Sequence, residues 1–173
     1  MTTRQRRLLL AVILMPVLLA CHGEVRAQEP YQSSRHHYIW PECVLFARSC
    51  HARGEHNKER YWLYSAIHLM SPGQYEHVGS LLRLAEYYEN DEGRIRKAGR
   101  ILLIALTEAE SAKPTRSDNT LNSKIDAWKA WAAYLRRRGE GAEAKKADLR
   151  AAQWHQKMME HLMRLDRQLR EGK

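Results

Sequence analysis

From Pro41 to Arg170 the chain is divided by turn-forming residues into segments of helical length, and nothing in it alternates with period two. The segments are rich in Ala, Leu, Arg, Lys and Glu and poor in β-branched residues, the composition of helices rather than strands. Pro41 suits a first helical position, and Gly54 suits the stop. A second helix is expected over 55–70, ended by Ser71-Pro72-Gly73, and a third over 75–90, closed by Asn90-Asp91-Glu92-Gly93. A fourth runs over 94–110, and residues 111–117 (SAKPTRS) form a linker whose Ser117, or Asp118 after it, can cap a fifth helix running to Arg138. Gly139-Glu140-Gly141 then turns the chain into a last helix over 142–170. The expectation is an all-α fold in three helix pairs.

These pairs carry an internal repeat. The first reads Phe46-Ala47, Cys50, Gly54, Leu63, Ala66 and Ser71-Pro72. The second reads Leu81, Leu84-Ala85, Tyr88, Ala98, Leu102 and Ala105, and the third Trp128, Trp131-Ala132, Leu135, Gly139, Ala144 and Ala151. Each first helix sets a large apolar residue beside a small one, and each second helix has recurring small residues. Antiparallel helices approach closely only where a small residue of one admits a large residue of the other, and stacked pairs then share a continuous core.

On these residues the chain resembles the tetratricopeptide repeat or its Sel1-like relative over about 130 residues. Trp128, Trp131-Ala132, Gly139 and Ala144 carry the likeness best. The second pair has one extra residue in its turn, Asp148 stands where a large apolar residue belongs, and the starts at Cys43, Leu81 and Trp128 are unevenly spaced. The rival reading is an irregular helical bundle whose Ala-rich helices imitate the pattern. The resemblance implies a short solenoid of antiparallel pairs whose first helices line a concave groove. By that pattern the groove presents Arg48 and His51, then Leu82, Glu86 and Glu89, then Lys129, Ala133, Arg136 and Arg137. Its basic end suits an acidic peptide or a C-terminus. In the final helix Trp154, Met158, Leu162, Leu165 and Leu169 recur every three or four residues, a stripe that caps the open end of the repeats or docks another protein.

The N-terminus is built for export. Arg4, Arg6 and Arg7 precede an unbroken apolar run over 8–20 (LLLAVILMPVLLA), which is shorter than the roughly 20 residues needed to span a bilayer and contains Pro16. This is the pattern of a cleaved signal peptide. Two ends compete. Leu18-Leu19-Ala20-Cys21 resembles a bacterial lipobox and makes Cys21 the lipidated first residue, whereas Val25-Arg26-Ala27 suits signal peptidase. The signal is therefore 1–21 or 1–27, residues 22–40 a flexible tether, and 41–173 the helical-repeat domain. Loss of residues 1–21 removes three arginines and no acid, so 29 basic and 20 acidic side chains become 26 and 20, a net charge of +6. Outside the cytoplasm such a charge points to anionic envelope polymers or an acidic protein, not to nucleic acid.

Cys43 and Cys50 are left as an even pair where disulfides form. Seven residues apart on one helix they would be about 10.5 Å apart, beyond the ~7 Å a disulfide spans. An intramolecular bond, two packed thiols and an intermolecular bond therefore stay open. The histidines lack the spacing of a helical zinc site, with His36-His37 in the tether and His51 and His56 flanking a turn. Gly139-x-Gly141-x-x-Ala144 lacks the strand that a dinucleotide site requires. Arg136-Arg137-Arg138 suits the negative end of a helix dipole, and Glu86 with Glu89 suits a solvated helix face. No cofactor, metal or catalytic set is expected. The sequence reads as a non-enzymatic scaffold in the periplasm or on the outer membrane that binds a protein or peptide and touches the membrane only through a lipid on Cys21. A cell-wall enzyme or regulator and a secreted effector are the alternatives.

Overall fold

The computed structural model describes residues 38–90, 93–113 and 119–172. The export signal, Cys21, most of the tether, the helix-capping pair Ser117 and Asp118, and Asp91-Glu92 lie outside them. All six elements among the described residues are α-helices: α1 (Trp40–Ala52), α2 (His56–His68), α3 (Tyr75–Asn90), α4 (Ile95–Ser111), α5 (Asn119–Arg137) and α6 (Gly141–Glu171). The all-α expectation holds, with ends close to those that the breakers mark. One boundary differs. The helix begins at Trp40, and Tyr38 already packs edge-on to Trp62 at 4.9 Å between ring centroids, so the last residues of the expected tether belong to the fold.

Consecutive helices pair, α1 with α2, α3 with α4 and α5 with α6; α2 then meets α3, α4 meets α5, and α3 also touches α5 directly. The reason lies in the small residues. Ala47, Ala85 and Ala132 of the first helices are buried, as are Ala66, Ala105 and Ala151 of the second. Without side-chain bulk at these points the helix axes close to contact, and Leu63, Leu84, Leu102 and Leu135 fill the space between pairs. Gly99 shows the tightest fit: a Cβ there would lie 2.2 Å from the Tyr134 hydroxyl.

The three turns inside the pairs share one backbone conformation. Each has a glycine in the left-handed region, Gly54 at φ 69°, Gly93 at 63° and Gly139 at 77°. The next residue is the N-cap of the second helix, with φ, ψ of −85°, 61° at Glu55, −88°, 58° at Arg94 and −86°, 57° at Glu140. A residue with a Cβ rarely adopts the left-handed region, which is why glycine occupies these turns. Glu55 N donates to Cys50 O and Glu140 N to Leu135 O, both at 2.9 Å, whereas Arg94 N reaches one residue further back, to Tyr88 O. That longer reach absorbs the extra residue of the second pair.

The last helix does two things along its length. Ala144, Ala147 and Ala151 are buried against α5, and no described residue beyond them is. Trp154 closes the covered part. Its indole N–H and that of Trp128 both donate to Glu110 Oε1, at 2.9 and 2.6 Å, tying α4, α5 and α6 together. Met159, Met163 and Leu169 beyond it are exposed.

Candidate binding groove

The first helices α1, α3 and α5 border two adjoining clefts. One, of about 440 Å³, lies among α1, α2 and α3 and is lined by Ala47, Arg48, His51, Glu59, Leu63, Arg83, Glu86, Tyr87 and Asn90. The other, of about 420 Å³, lies between α3 and α5, with Leu82, Glu89, Asp126, Ala130, Ala133 and Arg137 on its walls. Arg83, Glu86 and Asn90 border both, so α3 forms the ridge between them. Seven of the nine groove residues expected from the repeat pattern line these clefts: Arg48, His51, Leu82, Glu86, Glu89, Ala133 and Arg137. Lys129 and Arg136 line neither.

The charges expected at the basic end are largely engaged within the protein. The Arg137 guanidinium grips the shielded Glu89 carboxylate through both Nε and a terminal nitrogen. Arg136 pairs instead with Asp148 on α6. Asp148 was the break in the apolar pattern, and its place explains it. Among the described residues no further helix pair covers that position, and the carboxylate there is half-exposed.

The α1–α3 cleft is different. Glu59 is buried on α2, and both its carboxylate oxygens lie 3.2 Å from His51 Nδ1 on α1. His56 Nδ1 lies 3.9 Å from the same carboxylate. Counted from the turn glycines, Glu59 occupies the position held by Ala98 and Ala144 in the other two pairs. The polar partners make its burial tolerable. Arg48 and Arg83 face this cleft, and among the described residues neither makes a hydrogen bond or ion pair. Burial lowers the Arg83 guanidinium from its ordinary value; the like charge of Arg48 adds to this and Glu86 opposes it. In the α3–α5 cleft, desolvation raises the Asp126 carboxyl, and nearby Lys129 acts against it.

Cys43 and Cys50 are free thiols, both buried inside α1. The helix begins before Cys43, so the two-turn separation applies and an intramolecular disulfide does not form in this fold. Burial pushes both thiols up, with the carboxylates of Glu42 and Glu55 adding to the effect. Cys43 packs as a small apolar group, whereas Cys50 Sγ also accepts from Arg53 Nη2 at 3.7 Å.

No three or more His, Cys, Asp or Glu side chains among the described residues are placed to hold a metal ion. No helix among them is long and apolar enough to cross a membrane. Arg83, Tyr87, Asn90, Asp126 and Glu59 were missed as groove residues. Aligning the pairs on Gly54, Gly93 and Gly139 would have exposed Glu59 as a carboxylate in an alanine position. Comparison with known proteins finds no matching family model, no similar curated protein and no similar solved structure.

Proposed function

We propose that this chain is an exported, TPR-like helical-repeat scaffold that binds a partner polypeptide along the face made by α1, α3 and α5. The observation that carries this reading is the recurrence of one turn geometry in all three pairs, agreeing within 3° in φ and 4° in ψ at Glu55, Arg94 and Glu140. Repeated turns give repeated pair geometry, and repeated pairs give a lined, extended surface of the kind on which such proteins hold partners. The apolar floor of Ala47, Leu63, Leu82 and Ala133 between polar rims fits a polypeptide better than a small ligand. The basic n-region and the apolar run over 8–20 support export, and Cys21 supports a lipid anchor at the outer membrane.

The test places a photo-crosslinking amino acid at Leu82 in the groove or at Leu103, an exposed residue of α4. Discrete adducts in intact cells are expected from position 82 and not from 103. Equal patterns from both positions exclude the groove. Metabolic labelling with a palmitate analogue checks the anchor, because incorporation must disappear in Cys21→Ala.

A further inference from the structure

The two ends of the stack are finished differently. In the repeat, Phe46-Ala47 of α1 matches Leu84-Ala85 of α3 and Trp131-Ala132 of α5. Leu84 and Trp131 each have a helix pair before them; Leu84 is 2 % exposed and Trp131 packs against the core. Phe46 has no described pair before it and stays 41 % exposed, leaning on Trp62 at 4.8 Å and on Tyr38 at 5.8 Å between ring centroids. Ile39 and Leu45 beside it are exposed as well. At the other end Asp148, paired with Arg136, stands where the earlier pairs bury Leu63 and Leu102. Terminal repeats need a polar outer face, because an apolar one costs solubility. The C-terminal end of the stack has an ion pair where a further pair would dock, and the N-terminal end has an aromatic ring.

The face around Phe46 is complementary to itself. Ile39, Glu42, Phe46, Ser49 and Arg53 follow one another at steps of three and four residues and form one stripe along α1. Arg53 Nε and Lys58 Nζ share the single Glu55 carboxylate, each at 3.1 Å, which leaves this end of the stripe positive. Glu42, whose Oε2 accepts from Ile39 N, makes the other end negative. Turned about a two-fold axis, a second α1 lies antiparallel to the first, with Phe46 over the small Ser49 and Glu42 opposite Arg53, and each contact is made twice. The Arg53 guanidinium, held against Ser49 by a 2.6 Å bond to its Oγ, offers the incoming ring a cation. Large against small is the rule that builds the seams inside the stack, and the opposite charges at the two ends fix the register. We propose that two copies of this chain associate through this face as a closed dimer. Head-to-tail stacking is disfavoured, because it sets the Phe46 ring against the Asp148–Arg136 ion pair. Arg48 and His51 lie on the opposite side of α1 and stay in their cleft, so the contact leaves the groove open.

Sedimentation velocity of the purified protein over a concentration series tests this, and a monomer–dimer equilibrium is expected. Phe46→Glu should leave a monomer at every concentration. Ser49→Trp fills the small seat at an exposed position and should do the same, so the outcome does not hang on the folding of one variant. Glu42→Arg and Arg53→Glu should each weaken the dimer roughly tenfold by setting like charges opposite each other. Combined, they should restore it, because each facing pair is again of opposite sign. A protein that is monomeric throughout overturns the proposal, as does a dimer that survives both Phe46→Glu and Ser49→Trp, or a combined reversal with no recovery. A dimer broken instead by Leu165→Glu with Leu169→Glu assigns the contact to the exposed stripe of α6 and overturns it too. Crosslinking from position 82 in cells reads the groove separately, so either reading can fail without the other.

Discussion

The first and last helix pairs are built on the same turn yet bury opposite things at the same place. Five residues after Gly54 stands Glu59, a carboxylate 7 % exposed and held by His51; five residues after Gly139 stands Ala144, buried among alanines of α6. Four residues further on the order reverses, with Leu63 buried in the first pair and Asp148 solvated in the last. The reversal teaches how position in a stack decides what a side chain must be. Leu63 has α3 beyond it, whereas among the described residues no helix pair lies beyond Asp148 to exclude water. Glu59 departs from the packing rule on the side where the arginine-lined cleft opens, and a departure of this kind marks a functional surface better than a regular position does.

The hardest way to break the comparison is to exchange the two residues. Ala144→Glu puts a carboxylate into the tight α5–α6 seam with no histidine to receive it, and should cost about 3 kcal/mol or more in urea unfolding. Glu59→Ala, which gives the first pair the alanine of the other two, should stay within about 1 kcal/mol, because relief of desolvation offsets the lost pairing. If both substitutions cost the same, the two positions are not equivalent in the way the turns imply.

A smaller loss is expected at the seam between the second and third pairs. The residue after Ala98 is Gly99, beneath Tyr134, while the residue after Ala144 is Lys145, exposed at the end of the stack. Gly99→Ala forces the Tyr134 ring aside and should cost about 1–3 kcal/mol despite the higher helix propensity of alanine. Lys145→Ala should lie within about 0.5 kcal/mol of the parent. Thermal unfolding of the two variants side by side reads the difference between a seam and an end.

The smallest effect is electrostatic and lies in the groove. The Asp126 carboxyl is raised by desolvation, so the folded state holds this proton more tightly than the unfolded state does. Its contribution therefore favours folding at low pH and is lost as pH rises through the carboxylate range. Asp126→Asn should raise the unfolding midpoint slightly at pH 7, and the gain should vanish at a pH well below that range. A gain that persists at low pH would mean that something other than ionisation limits this position.

Much of the helical framework was legible because its signals are local. Pro41, Gly54, Ser71-Pro72-Gly73, Gly93 and Gly139 act through their own backbone preferences, and they mark the helix ends wherever those helices pack. The small residues Ala47, Ala85 and Ala132 were legible for a related reason: close approach needs the absence of bulk, and that absence is written in the chain. Seven of the positions named from the pattern also line the two clefts, because residues on one helical face stay together. Arg136 did not follow. It is next to Arg137 in sequence, but a step of about 100° around the helix turns it to α6 and Asp148 rather than to the cleft.

By itself, then, the sequence determined the all-α class, the helix ends and the small-residue seams. Only the tertiary structure decided which charges are already matched. Arg137 and Glu89 are 48 residues apart and neutralise each other, whereas Arg48 and Arg83, 35 apart, face one cleft and make no ion pair among the described residues. The physical reason is range. Backbone preference and side-chain volume act within a turn or two of the chain, but ion pairing depends on distance in space, and the stacking of the pairs alone sets that distance.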